Sequence, residues 1–137
     1  MGAAAAKWVI YVDGASRGNP GPASVGAALF DEAGREVHTV SRRIGRATNN
    51  EAEYRAAIAG LEAALALGAR DVELRMDSEL VVRQLDSRYK VRNPSLRRLF
   101  GRVKDLQWRF TSFSVRHVRR DGNRRADKLA NEALDRG

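Results

Sequence analysis

Asp13, Glu53, Asp77 and Asp127 each fall where an ordered element is predicted to begin or end, in a chain that is otherwise strongly basic. Carboxylates gathered inside a basic protein repel one another unless a cation holds them, and a basic surface attracts polyanions. A divalent metal and a nucleic acid together meet both demands. With no cysteine and no histidine cluster, a site built on these acids is an all-oxygen site, suited to Mg²⁺ or Mn²⁺ rather than zinc. Two such ions about 4 Å apart can clamp a phosphodiester, one activating the attacking water and the other stabilising the leaving 3′ oxygen.

Singly, three of the acids have a plain structural use. Asp77 could cap a helix, Asp127 could complement a helix dipole, and Glu53 could be the reciprocal partner of Asn50 in a capping box. Asp13 is different, because a carboxylate that continues an apolar strand has no obvious structural use. Together the four favour chemistry.

The elements that must position them follow from the pattern. Trp8 to Val12 is an apolar run stopped by Asp13-Gly14 and the turn-rich segment Ala15 to Pro22, which predicts a buried strand capped by Asp13. Ala23–Phe30 and Glu36–Ile44 are two further strands, joined through a Gly-containing turn and antiparallel in series. Thr48-Asn49-Asn50-Glu51 opens a long helix running to about Leu67 and stopping before Gly68. Tyr54, Ile58, Leu61 and Leu65 form its core stripe, beside a small-residue stripe of Ala57, Gly60 and Ala64 that continues from Glu53. Val72, Leu74 and Met76 alternate with polar residues as a half-buried strand ending at Asp77, and Glu79–Leu85 is a helix. Asn93-Pro94 starts an amphipathic helix carrying Leu96 to Leu106, Trp108–Val118 reads as a last strand, and Gly122-Asn123 opens a C-terminal helix. Trp8, Trp108 and Phe110 are expected in the core rather than as base-stacking platforms. If the strands ending at Asp13 and Asp77 are parallel neighbours, their carboxylates share the edge where α/β sheets collect ligands.

The 137 residues suit one domain with its own core, spanning 1–137, with residues 1–7 expected to be disordered. Lys and Arg number 25 against 17 Asp and Glu, a net charge of +8, and Arg favours bidentate phosphate contacts. The absence of cysteine excludes a disulfide framework and thiolate zinc, and fits a reducing cytosol. There is no secretory signal and no apolar run of about 18 residues, so a cytoplasmic, non-membrane protein is expected. No spare apolar face announces a protein partner, which makes a monomer the expectation.

Asp13-Gly14-Ala15-Ser16-Arg17-Gly18-Asn19-Pro20-Gly21, Thr48-Asn49-Asn50-Glu51-Ala52-Glu53, Met76-Asp77-Ser78 and Asn123-Arg124-Arg125-Ala126-Asp127, in this order and spacing, closely resemble type 1 ribonuclease H. The resemblance spans Trp8 to about Leu134, and four motifs in register are far more specific than one. It implies the α/β ribonuclease H-like fold: a five-stranded mixed sheet, three antiparallel strands followed by parallel ones, flanked by helices. It also implies endonucleolytic hydrolysis of the RNA strand of RNA/DNA hybrids, leaving 5′-phosphate and 3′-hydroxyl ends, with two Mg²⁺ ions when substrate is bound and Mn²⁺ as a possible substitute. By the same resemblance Asp13, Glu53, Asp77 and Asp127 are the metal-binding catalytic acids. Asn19 and Asn50 match positions that contact the hybrid in its minor groove, where 2′-hydroxyls can be read. Arg46, Thr48 and Asn93 match a pocket that grips a phosphate of the DNA strand, a charged fork beside neutral donors.

The chain departs from the family pattern in three places. His117 lies ten residues upstream of Asp127, as a catalytic loop His would, but inside an apparent strand; Arg120 is then nearest to that role, able to aid product release or orient water but not to act as a base. Tyr89–Asn93 is too short for the basic protrusion of longer members, so hybrid affinity must come from Arg17, Arg43, Arg46 and the stretch Arg88 to Arg98, or else be weaker. Glu79 stands where many members carry a Gln that touches the hybrid. Two other readings compete: a catalytically silent hybrid-binding module, and an integrase-like nuclease using related carboxylate geometry.

Overall fold

This computed structural model describes residues 7–136; the expected disordered terminus lies, apart from Lys7, outside the described residues. Strands β1 (Trp8–Ser16), β2 (Gly21–Phe30) and β3 (Glu36–Ala47) form an antiparallel meander. Asp31 closes the β2–β3 turn by accepting from the backbone N–H groups of Ala33 and Arg35, as Asp at a turn commonly does. Helix α1 (Asn49–Ala66) starts with a complete capping box, in which Thr48 Oγ1 accepts from Glu51 N–H and the Glu51 carboxylate accepts from Thr48 N–H. Strand β4 (Asp71–Met76), helices α2 (Glu79–Leu85) and α3 (Pro94–Gln107), strand β5 (Ser112–His117), a 3₁₀ turn at Arg120–Gly122 and helix α4 (Arg124–Asp135) complete the chain.

The strand order is β3-β2-β1-β4-β5, with β1, β4 and β5 parallel. This is the predicted five-stranded mixed sheet. Period-two alternation along the strands sorts the helices onto two faces. Ile10 and Val12 of β1 and Ala27 of β2 lie against Gly60 of α1, whereas Gly26, one residue before Ala27, lies against Ala126 and Ala130 of α4. Helix α1 therefore covers one face and α4 the other. The α1 core stripe is buried at Tyr54, Ile58 and Leu61, and the small stripe at Ala57, Gly60 and Ala64 is buried too.

Strand β2 begins at Gly21 rather than Ala23 and β3 runs on to Ala47 rather than Ile44, and two larger differences bear on the site and the core. Strand β1 does not stop at Asp13 but continues to Ser16, because antiparallel pairing with β2 persists through Ser16↔Ala23 after pairing with β4 has ended at Tyr11↔Arg75. The last strand does not begin at Trp108. Helix α3 runs to Gln107 with Trp108 as its C-cap, the Trp108 N–H donating to Lys104 O, so Trp108 stands 81% exposed rather than in the core. The apolar spacing through Val103 and Leu106 carries the helix that far, and only the β-favouring run from Ser112 pairs with β4. Phe110 is buried as expected, and Trp8 is half-buried with its Nε1–H donating to Glu32.

Candidate active site

Asp13 and Asp77 meet because β1 and β4 part company. The parallel ladder ends at Tyr11↔Arg75, so Asp13 on β1 and Asp77, one residue past Met76, both lie just beyond the last shared rung, at the carboxyl edge. Asp13 pairs with Gly26 across the antiparallel ladder; cross-strand partners share a face, so Asp13 looks toward α4. Glu53 arrives from the opposite helix. A Cβ on Gly14 would stand 2.2 Å from the backbone carbon of Ala52, so only glycine lets the first turn of α1 rest on the strand, and there the Gly14 N–H donates to the Glu53 carboxylate. Carboxylate oxygens of Asp13, Glu53 and Asp77 all lie within 4.8 Å of one another.

Asp127 comes in with α4. That helix lies so close to β2 that a Cβ on Gly26 would meet Ala126 O at 2.3 Å, and Ser24 Oγ and Ser41 Oγ tie it down by donating to Ala130 O and Leu129 O. Asp127 is not part of the compact trio. Its side chain accepts from Asn131 Nδ2 at 3.2 Å, yet it is near enough to perturb both Asp13 and Glu53.

Burial first, then the adjacent Glu53 and Asp77 charges, hold the Asp13 carboxyl far above the ordinary carboxylate range. Burial likewise raises Glu53, against the lowering pull of hydrogen bonds from Gly14 N–H and Asp13. The two directions describe one proton retained between a pair of crowded acids, chiefly on Asp13. Among the described residues no Lys or Arg forms an ion pair with Asp13, Glu53 or Asp77. Three converging carboxylates without a protein cation fit a hard divalent ion, which would discharge the proton and neutralise the cluster.

Asn123 escaped the sequence reading as more than a helix opener. It is 1% exposed and makes no side-chain cap for α4. Instead its Nδ2 donates to Val12 O at 2.9 Å and to Asp77 Oδ2 at 3.4 Å, joining β1, Asp77 and the start of α4. The signal available was an Asn at a helix start without a use for its side chain. The capping-box reading of Glu53 is set aside by Glu51, which occupies that role.

Of the residues expected to meet nucleic acid, Asn19, Thr48, Asn50 and Asn93 line one recess of about 370 Å³ at the N-termini of α1 and α3. Asn93 Oδ1 accepts from Ser95 N–H and Leu96 N–H, which turns its amide nitrogen outward as a donor. Arg46 lines the adjoining recess, which shares Glu51 and Ser95 with the first. Arg120 sits in the 3₁₀ turn, and with Arg119, Arg124 and Asp127 it lines a third recess of about 470 Å³. His117 is the exposed last residue of β5, registered with Met76 beside Asp77. Glu79 pairs with Arg83, Arg17 with Asp135, and Arg125 with Glu36.

A mixed sheet in this strand order with acids gathered at the β1/β4 edge defines a ribonuclease H-like protein. A family model described as reverse transcriptase-like matches residues 11–133. The chain is 54% identical over 125 residues to ribonuclease HI of Halobacterium salinarum, covering 91% of this chain and 63% of that relative's length. The crystal structure of RNase H1 from that archaeon superposes with a TM-score of 0.94 at 51% identity, covering 96% of this chain and 99% of the other. LC11-RNase H1, solved in complex with an RNA/DNA hybrid, superposes with a TM-score of 0.90 at 44% identity, covering 95% and 98%. The chain belongs to the ribonuclease HI family. No helix among the described residues is long and apolar enough to cross a membrane.

Proposed function

We propose that the chain is a metal-dependent endoribonuclease that hydrolyses the RNA strand of RNA/DNA hybrids, leaving 5′-phosphate and 3′-hydroxyl ends, and that it works as a cytoplasmic monomer. The observation that carries this reading is the trio Asp13, Glu53 and Asp77, with oxygens within 4.8 Å and the first two acids raised above all by burial, with neighbouring carboxylate charge adding to it. Together with Asp127 they would hold two Mg²⁺ ions, or Mn²⁺, when substrate is bound. Such ions supply Lewis-acid stabilisation of an in-line phosphodiester displacement. The protein's own part is to keep the acids in place before substrate arrives, so that no reorganisation is needed during reaction.

Strand choice rests on the neighbouring recesses. Asn19 and Asn50 read 2′-hydroxyls across the minor groove, and Arg46, Thr48 and Asn93 grip a phosphate of the DNA strand. Arg120 lines the same recess as Asp127, where a guanidinium orients water or eases the departure of the 5′-phosphate product. The hybrid seen with LC11-RNase H1 supports carrying this substrate over.

The test compares hybrid, double-stranded RNA and double-stranded DNA in one assay, with Mg²⁺ and with EDTA. Only the hybrid's RNA strand should be cut, only with metal, and Asp13→Asn or Asp77→Asn should abolish cutting while leaving hybrid binding largely intact. Full activity in either variant, or equal cutting of double-stranded DNA, would refute the proposal.

A further inference from the structure

Strand β3 and helices α1 and α3 border a trough that carries more guanidinium groups than the grip on one DNA-strand phosphate needs. A recess of about 280 Å³ is lined by Arg46, Arg55, Arg98 and Arg102, with Glu51 and Ser95 in its walls. Glu51 and Ser95 also wall the recess of Asn19, Thr48, Asn50 and Asn93. At its other end Arg55 and Arg102 pass into a further recess with Arg42, Glu62 and the floor residue Ile58. Through these shared walls the three recesses form one line, following α1 from its N-terminus down past Arg55 to Glu62.

The trough is strongly positive and its charges are little used by the fold. Glu51 is occupied by Thr48 N–H, and Glu62 pairs with Arg102 at 3.3 Å. Arg55 spends one N–H on Ile44 O. Arg98 and Arg102 are one turn apart on α3, a like-charge spacing that costs a helix a few tenths of a kcal/mol. Five exposed arginines facing two engaged carboxylates suit a chain of phosphates, which the guanidinium fork matches in shape and charge. The recess lies between α1 and α3. It begins at Arg46, the residue assigned to a DNA-strand phosphate.

We propose that this trough binds the single-stranded continuation of the DNA strand beyond the end of the hybrid, so that hybrids with a DNA extension are held more tightly than blunt ones. The proposal rests on the hybrid reading for its starting point, but its readout is separate. The probes are a labelled blunt hybrid, the same hybrid with an oligothymidylate extension on the 5′ or the 3′ end of its DNA strand, and the same hybrid with an oligouridylate extension of its RNA strand. Binding is followed by fluorescence anisotropy in EDTA over a series of KCl concentrations, and cleavage of the blunt hybrid is measured separately with Mg²⁺.

One of the two DNA extensions should tighten binding by about three- to tenfold at low salt and steepen the salt dependence by about 0.7 per phosphate held. In Arg55→Gln/Arg102→Gln, which keeps a donor for Ile44 O, this advantage should vanish while blunt-hybrid binding and cleavage stay unchanged. Arg55→Lys/Arg102→Lys should keep most of it. The proposal fails if neither DNA extension tightens binding, if the advantage survives the glutamine variant with its fold confirmed by circular dichroism, or if the RNA extension gains as much as the DNA one. Failure of the wild type to cut the blunt hybrid would instead remove the functional reading itself.

Discussion

At the carboxyl edge of β1 and β4, Asp13 and Glu53 are only 6% and 8% exposed and sit within reach of Asp77; along α1 and α3, Arg46, Arg55, Arg98 and Arg102 are all exposed. Both regions concentrate charge of one sign, but they hold it differently. The acids are fixed by backbone: a strand that outruns its partner, a helix turn resting on Gly14, and Asn123 bridging to Asp77. The arginines hang from long flexible side chains, and the ion pair that Arg102 makes with Glu62 is screened and worth little to the fold. Crowded buried charge stores free energy that a cation can release on binding, so changes there should be nearly all-or-none. Exposed charge adds affinity in small, salt-dependent increments.

Asp13→Asn is the sharpest way to break this contrast, since it removes one acid while keeping its shape. Cleavage should fall by about 10³-fold or more, as when a group aimed at the transition state is lost. Stability in EDTA should move the other way. With both folded-state pKa values raised, the coupled Asp13–Glu53 pair retains a proton at pH values where the unfolded chain has lost it, so the metal-free protein loses stability as pH rises from about 4 through neutrality. Thermal unfolding in EDTA should show this decline in the wild type, a flatter profile in Asp13→Asn, and a gain of about 1 kcal/mol or more for the variant at pH 8. Adding Mg²⁺ should stabilise the wild type more at pH 8 than at pH 5. A wild-type profile that rises across this range would contradict the crowded-acid picture.

Gly14→Ala attacks the same edge through packing. Its Cβ would meet backbone, at 2.2 Å from Ala52 C, and backbone cannot rotate aside. Strand and helix must separate, at a cost of about 3 kcal/mol, and Glu53 moves off with the helix. Chemical denaturation measures the first effect and calorimetric Mg²⁺ titration the second. The substitution would leave both unchanged only if α1 did not rest on β1 here.

Most of this edge was legible in the sequence. Apolar runs ending at Asp13 and Asp77, the capping box at Thr48 and the small-residue stripe of α1 each register local physics that tertiary packing reinforced. What was not legible depends on partners far along the chain. Asp13 looked like the end of β1 because turn formers follow it, yet pairing with β2 carries the strand to Ser16. Trp108 looked like core because it is large and sits before a β-rich run, but the helix ahead of it had not finished. Nothing local distinguishes an Asn that caps a helix from one that reaches back to another strand, which is why Asn123 was missed. The arginine trough assembles side chains from three separated segments, and single arginines in a basic chain carry no sign of their neighbours.

Asn123→Ala tests whether the backbone frame of the acidic edge has a keystone. It would leave the buried Val12 carbonyl without its donor and free the Asp77 carboxylate to turn, costing about 1–3 kcal/mol of stability. The half-saturating Mg²⁺ concentration for cleavage should rise several-fold, while hybrid affinity measured in EDTA should not change. A variant that loses stability but keeps its Mg²⁺ dependence would make Asn123 a structural bridge alone.

Arg46→Ala probes the exposed side of the contrast and should have the smallest effect. If Arg46 neutralises one phosphate, its loss should flatten the dependence of log affinity on log salt by about 0.9 and weaken hybrid binding only a few-fold near physiological ionic strength. Turnover at saturating hybrid should hold, because the acids and their frame are untouched. Unfolding should not shift, since the Arg46 side chain is exposed and has no ion pair among those of the described residues. A large fall in saturated turnover would instead mean that the phosphate grip sets the position of the scissile bond against Asp13 and Asp77. The two regions would then act as one machine rather than as a chemical centre with a separable handhold.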